Sequence, residues 1–153
     1  MKIFIGSHER QKDDVRSKMS EMERLGHEFS HDWTQYNVSD VGQSQYASRN
    51  LKGIKKAAIF LGIMDDSHEP YAEAIAELSA AKALGKMIFI YCPNLKSECM
   101  KNYVMHHSGI YYFTNWYDGL KYMQCFLPYD LNEKYKKNAK YLDKYEATTL
   151  TLH

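Results

Sequence analysis

Short apolar runs alternate along this chain with longer segments in which apolar residues recur every third or fourth position. The runs are four to eight residues long, a length typical of strands. They predict five strands, at Lys2–Gly6, Glu28–Trp33, Ala57–Met64, Lys86–Tyr91 and Ile110–Phe113. Because the run at 57–64 is apolar throughout, we expect both of its faces to be covered, as in a parallel sheet.

The segments between these runs have helical periodicity. The first helix is expected to end at Gly26, and a second is expected to begin at Ser39 or Asp40. That second helix would present Ala47, Leu51, Ile54 and Ala58 on one face. Further helices are predicted over Tyr71–Leu84, Lys96–Tyr103 and Trp116–Leu127. Strands that alternate with helices in this way predict a three-layer α/β/α sandwich around a five-stranded parallel sheet.

The last part of the chain differs in composition from the rest. Residues 1–128 are interpreted as one α/β domain, and residues 129–153 as a polar helical extension rich in lysine and tyrosine. The stretch Asp130–Tyr145 is expected to be helical, with Leu131, Tyr135, Leu142 and Tyr145 as a sparse apolar stripe. The last eight residues are expected to be frayed.

Composition excludes several classes of partner. The 20 Lys and Arg residues nearly balance the 19 Asp and Glu residues, so no strong field favours a nucleic acid polymer or a membrane surface. No apolar run is long enough to span a bilayer, and no secretory signal is visible. The three cysteines have no metal-type spacing, which favours a reducing, cytoplasmic setting. No metal site and no cofactor are expected.

Candidate functional residues follow the predicted strands. In an open parallel sheet, the carboxyl ends of the strands line the ligand crevice. The residues expected there are Gly6, Ser7 and His8 after the first strand, Asp32 and Trp33 after the second, and Asp65 and Asp66 after the third. Glu77 lies inside the alanine-rich helix that follows. A hydroxyl, a flat aromatic face and several carboxylates suggest a small polar ligand with a planar part.

Each of these residues also has a purely structural interpretation. A glutamate on a helix is most often solvated, so periodicity alone does not assign a role to Glu77. Asp65 and Asp66 have the form of turn or capping residues, and Ser7 has the form of a turn residue. A tryptophan such as Trp33 is more often a core or rim packing residue than a ligand contact. The residues by themselves leave these alternatives open.

Several segments together resemble the nucleoside 2-deoxyribosyltransferase family over roughly residues 2–125. They read KIFIGS, GHEFSHDW, SRNLKGIKKAAIFLGIMDD and YAEAIAELSAAKALGKMIFIYCP, and the last of them is the most specific. The resemblance implies a flavodoxin-like five-stranded parallel sheet and a homo-oligomer. It also implies cleavage of the N-glycosidic bond of 2'-deoxynucleosides or their monophosphates, with transfer of the sugar to another base or to water.

The resemblance also implies roles for individual residues. Glu77 would attack C1' as the nucleophile, and Asp65 or Asp66 would protonate the leaving base. Ser7 and Asp32 would lie near the sugar, and Trp33 near the base. Ser7, His8 and Arg10 would contact a 5'-phosphate, if one is present.

Two positions depart from the pattern of the family. Asn50 stands where the family often has an aspartate that handles the base, and an amide cannot act as an acid at neutral pH. Glu73, one helical turn before Glu77, is an unusual second carboxylate.

Two other functions stay open from the sequence. A Toll/interleukin-1-receptor-like domain shares the alternating strand and helix order, and it would use Glu77 to cleave NAD or would serve only as an interaction module. A non-catalytic nucleotide sensor is the second alternative, favoured by Asn50 and by Phe4, which stands where the family commonly has a tyrosine.

Overall fold

The computed structural model describes residues 1–145 and 150–152 of the chain. Its strands are β1 Lys2–Gly6, β2 Glu28–Phe29, β3 Ile59–Ile63, β4 Met87–Tyr91, β5 Ile110–Phe113 and β6 Leu150–Leu152. Its α-helices are α1 Lys12–Arg24, α2 Val38–Val41, α3 Gln43–Lys56, α4 Ala72–Ala83, α5 Trp116–Gln124 and α6 Tyr129–Ala139. Short 3-10 helices cover Glu9–Gln11, Trp33–Gln35, Glu98–Lys101, Tyr103–His106 and Lys140–Lys144.

The strands form one sheet in the order β2-β1-β3-β4-β5-β6. The first five strands in this order are parallel, and β6 pairs antiparallel with β5. The order 2-1-3-4-5 is the flavodoxin-like arrangement, in which ligands bind where the direction of the strand order reverses, next to β1 and β3. The predicted α/β sandwich with a five-stranded parallel sheet is confirmed.

Two sets of helices flank the sheet. α3 and α4 pack against each other and against β1. α1 and α5 are joined by the indole of Trp116, which donates to Glu21 Oε2 over 2.8 Å. The core between the layers includes the fully buried rings of Phe4, Phe60 and Phe89. Such apolar strands are expected where helices cover both faces of a parallel sheet.

The second strand is shorter than the sequence predicts. It ends at Phe29, and Trp33 begins a 3-10 helix instead of closing the strand. The carboxylate of Asp32 caps this turn, because its Oδ1 accepts from the backbone N–H of Thr34 over 3.0 Å and from the Thr34 hydroxyl over 2.6 Å. Local hydrogen bonds of this kind compete with strand pairing, which explains the early end of β2.

The predicted apolar face of the second helix is correct at Ile54 and wrong at its other positions. Leu51 is 45% exposed and Ala58 lies beyond the end of α3, whereas Asn50, Gly53 and Ile54 are buried. Ser39 and Asp40 lie within the separate helix α2, which Asn37 caps. α3 packs closely against β1 at Gly53, because a Cβ at this position would lie only 2.9 Å from the Phe4 ring.

The C-terminal segment lies against α1. Tyr141 donates to Glu21 Oε1 over 2.7 Å, the Asn138 amide donates to the Arg24 carbonyl over 2.8 Å, and Leu142 is buried. Residues 150–152 form the added edge strand, so the expected fraying is wrong for them. The rest of that expectation concerns residues 146–149 and 153, which lie outside the described part of the chain. Among the described helices, none has the length and apolar character needed to cross a membrane.

Candidate active site

A cavity of about 600 Å³ opens beside the carboxyl end of β1, between α3, α4 and the loops after β1 and β2. This volume is in the range of small-molecule sites. The lining residues are Ser7, His8, Glu9, Trp33, Val38, Gln43, Tyr46, Ala47, Asn50, Leu51, Glu73, Ala76 and Glu77. Of the residues predicted from sequence, the cavity therefore brings together Ser7, His8, Trp33, Asn50, Glu73 and Glu77.

Two residues position the nucleophile candidate Glu77. α4 begins after Tyr71, whose backbone is left-handed (φ +52°) although it is not a glycine. The buried Tyr71 hydroxyl donates to Gln11 over 2.6 Å and accepts from the Asp66 N–H over 3.0 Å, and these contacts hold the start of the helix.

Gly6 is buried behind the cavity, where a Cβ would lie 2.5 Å from the Phe60 ring and 3.4 Å from Glu77 Oε2. The glycine therefore lets Phe60 and Glu77 approach β1 closely.

The carboxylate of Glu77 is held by a neutral amide. Asn50 Nδ2 donates to Glu77 Oε1 over 2.7 Å. Burial raises the pKa of Glu77 to about 7; the Asn50 hydrogen bond opposes this rise and the charge of Glu73 adds to it. A carboxyl group with this pKa changes its protonation state near neutral pH, as catalytic groups commonly do.

Asn50 and Tyr46 lie one helical turn apart on α3, and both line the cavity. Asn50 is 4% exposed, and its Oδ1 is buried with no hydrogen-bond partner among the described residues. An unpaired buried acceptor costs about 1–3 kcal/mol. Burial raises the pKa of the Tyr46 phenol, as do the charges of Glu77 and Glu9.

The remaining predicted lining residues have partners of their own. The Ser7 hydroxyl donates to the Ile63 carbonyl over 2.8 Å. The indole of Trp33 is 3% exposed and donates to the Ile5 carbonyl over 2.7 Å, so this ring is mainly a core residue that forms one wall. His8 Nδ1 accepts from the backbone N–H of Arg10 over 3.1 Å. Glu73 is exposed at the mouth of the cavity.

The aspartates predicted for the crevice do not line the cavity. Asp65 accepts from Gln11 Nε2 over 2.7 Å and lies 3.4 Å from the Lys18 ammonium. Asp66 closes a turn by accepting from the His68 N–H over 2.9 Å. Asp32 is occupied by the turn at Thr34. The expectation that these carboxylates share the crevice with Glu77 is therefore wrong, because each is engaged by neighbours outside it.

Apart from Asn50, sequence reasoning missed the residues that the second helix contributes to the cavity. Tyr46, Gln43, Ala47 and Leu51 line the cavity because α3 turns part of its exposed face toward it. The available signal was the spacing of Tyr46 and Asn50, four residues apart, which places both on one side of a helix.

Comparisons with known proteins leave the site to be argued from its geometry. A scan against protein-family models and searches of curated proteins and of solved structures each give no match to this chain. The resemblance to nucleoside 2-deoxyribosyltransferases, and the homo-oligomer it implies, stay predictions that depend on the residues quoted above. Among the described residues, no group of three or more His, Cys, Asp or Glu side chains is arranged to hold a metal ion.

Proposed function

We propose that this protein cleaves the N-glycosidic bond of nucleosides, with Glu77 as the nucleophile. The observation that carries the proposal is the environment of the Glu77 carboxylate. It lines a cavity of about 600 Å³ and is held by the neutral Asn50 amide, not by a cation. Since no cation among the described residues pairs with it, this carboxylate is available to stabilise an oxocarbenium-like transition state and to attack it.

The proposed reaction has two steps. A Glu77 oxygen forms a bond to C1' while the bond from C1' to the base nitrogen breaks, and the electron pair leaves with the base, which takes up a proton. Water or a second base then attacks C1' and releases the carboxylate, with overall retention of configuration. Because Asp65 and Asp66 lie outside the cavity, the lining groups able to exchange this proton are His8, Glu9 and Glu73.

The shape and lining of the cavity suit a nucleoside. The Tyr46 and Trp33 rings and the Leu51 side chain provide apolar surface for a base. The Ser7 hydroxyl keeps its proposed place near the sugar, since it lines the same cavity. Asp32 no longer has a proposed role in binding, since both of its oxygens are used in its own turn.

The charge of the lining favours a nucleoside over its monophosphate. Glu9, Glu73 and Glu77 line the cavity, and His8 is the one basic side chain among the lining residues in the described part of the chain. The nearby Arg10 is 76% exposed and its guanidinium pairs with Glu69. A 5'-phosphate dianion would meet like charges without a paired cation, which is unfavourable.

The proposal is tested by chromatography of reactions that contain deoxynucleosides, their monophosphates or NAD, each with and without a free acceptor base. We expect release or exchange of a base from the deoxynucleosides, and its loss in a folded Glu77→Gln variant. Nicotinamide release from NAD alone would instead favour a Toll/interleukin-1-receptor-like enzyme. No reaction with any substrate, from folded protein, would overturn the catalytic proposal and favour a nucleotide sensor.

A further inference from the structure

Glu69 is a buried carboxylate that the proposed reaction does not use. It lies in the loop between β3 and α4 and is 9% exposed. Pro70 follows it and favours an extended backbone at position 69. The backbone N–H of Glu69 donates to the Asp66 carbonyl over 3.3 Å, and its Oε1 accepts from the Tyr71 N–H over 3.4 Å. These local contacts fix the place of the carboxylate.

The charge partners of Glu69 come from the loop after β1. Arg10 pairs its guanidinium with Glu69 Oε2, and His8 Nε2 lies 3.8 Å from Glu69 Oε1. His8 Nδ1 accepts from the backbone N–H of Arg10 over 3.1 Å and from its Nε over 3.4 Å. The ring proton of a neutral His8 is therefore on Nε2, beside the carboxylate. Glu69 is the common partner of both basic side chains.

These two basic side chains lie where an anionic part of a ligand would need them. His8 lines the cavity, and the 3.4 Å contact of its ring with Arg10 Nε places the guanidinium next to that lining. Because Glu69 already neutralises Arg10, the pair presents little net charge to an anion. A phosphate would have to displace a carboxylate that belongs to the same chain and is held in place, which is a strong intramolecular competitor.

We propose that Glu69 is a specificity-determining residue, because its carboxylate takes the place of a ligand phosphate against Arg10 and His8 and so restricts the cavity to uncharged nucleosides. Glu69 acts through these two side chains and needs no contact with the reacting atoms. This inference rests on the proposed function for the choice of substrate, but the competition between Glu69 and a phosphate concerns the free protein alone.

Inorganic phosphate is the probe, since it carries the anion without the nucleoside. Glu69→Gln removes the charge and keeps the length of the side chain, and Glu69→Ala also opens space for the anion. Binding is followed through the His8 ring signals in NMR spectra, with circular dichroism as the control for folding. We expect the dissociation constant for phosphate to fall about tenfold or more, since a released guanidinium forms charge-assisted hydrogen bonds. No gain in either folded variant would overturn the proposal.

Two control variants show whether the gain comes from the released cation. Asp13→Asn removes a carboxylate that pairs with Arg16 over 3.5 Å, away from the residues that line the cavity, and should change phosphate binding by less than about twofold. Adding Arg10→Ala to Glu69→Gln should remove most of the gain. A gain of the same size in Asp13→Asn, or one that persists in full without Arg10, would contradict the proposal.

Activity separates this inference from the proposed function. If nucleosides are cleaved, the ratio of kcat/KM for a deoxynucleoside monophosphate to that for its deoxynucleoside should rise about 10- to 100-fold in Glu69→Gln. An unchanged ratio in a variant that has gained phosphate binding would overturn the specificity role. Phosphate binding gained without any base release would keep Glu69 as the competitor of the anion and overturn only the enzymatic proposal. Base release without a gain in phosphate binding would do the reverse.

Discussion

The carboxylates of Glu77 and Asp65 lie near the same edge of the sheet in opposite surroundings. Asp65 receives a hydrogen bond from Gln11 and lies 3.4 Å from the Lys18 ammonium. Glu77 receives one hydrogen bond, from a neutral amide, and faces a cavity. The Lys18 ammonium compensates for the desolvation of the Asp65 carboxylate, whereas the Asn50 amide that contacts Glu77 carries no charge. The comparison teaches that the surroundings of a carboxylate, more than its place after a strand, decide whether its pKa is shifted toward neutral pH.

The largest expected effect is a difference in kcat between variants at these two carboxylates. Glu77→Gln removes the proposed nucleophile and should lower kcat by about 10³-fold or more. Asp65→Asn makes the matching change outside the cavity and should alter kcat by less than about threefold, as expected for a residue away from the reacting atoms. The measurement is base release under saturating deoxynucleoside, with circular dichroism as the control for folding. Equal losses in the two variants would remove the distinction between the two regions.

The dependence of activity on pH should follow Glu77. Its pKa is raised to about 7, and the nucleophile must be ionised, so kcat/KM should fall about tenfold per unit as the pH drops below that value. Between pH 7 and pH 5 the expected loss is about 50-fold. Asp65→Asn should show the same acid limb as the unmodified protein. A profile that is flat from pH 5 to pH 8 would argue against a Glu77 nucleophile.

The sequence predicts the sheet better than the site. The apolar runs at Lys2–Gly6 and Ile110–Phe113 match β1 and β5 residue for residue, because continuous burial on both faces leaves a direct pattern. Glu77, a candidate from its place on the helix after β3 and the nucleophile that the resemblance implies, lines the cavity. The partners of Asp65 could not be read from the sequence, since Lys18 and Gln11 come from a distant segment that only the fold brings near. The partner of Asp66 is local, the His68 N–H, in agreement with its interpretation as a turn residue.

The two carboxylates should also differ in what they do to stability. The folded pKa of Glu77, about 7, lies above the ordinary value of 4.5. The protonated Glu77 side chain is favoured in the folded protein. Its contribution to the free energy of unfolding is therefore full below pH 4.5 and is lost as the pH rises through 7. At pH 8, Glu77→Gln should raise the free energy of unfolding by about 2 kcal/mol. Asp65→Asn should lower it by about 1 kcal/mol, because the Lys18 pair is lost.

Urea unfolding at pH 8 and pH 4 measures both changes. At pH 4 the gain from Glu77→Gln should disappear, since the carboxyl group of the unmodified protein is then protonated in the folded state. A gain of the same size at both values would show that charge burial is not its cause.

The smallest effect is expected at Asp66. Its side chain is exposed and accepts one hydrogen bond, from the His68 N–H over 2.9 Å, while its own N–H donates to the Tyr71 hydroxyl. Asp66→Ala removes only the side-chain bond, so unfolding should become easier by about 0.5–1 kcal/mol. Base release should stay within about twofold of the unmodified protein, since a group outside the cavity does not touch the reacting atoms. A loss of tenfold or more would restore Asp66 as the proton donor to the leaving base, and it would mean that the loop after β3 closes over the substrate.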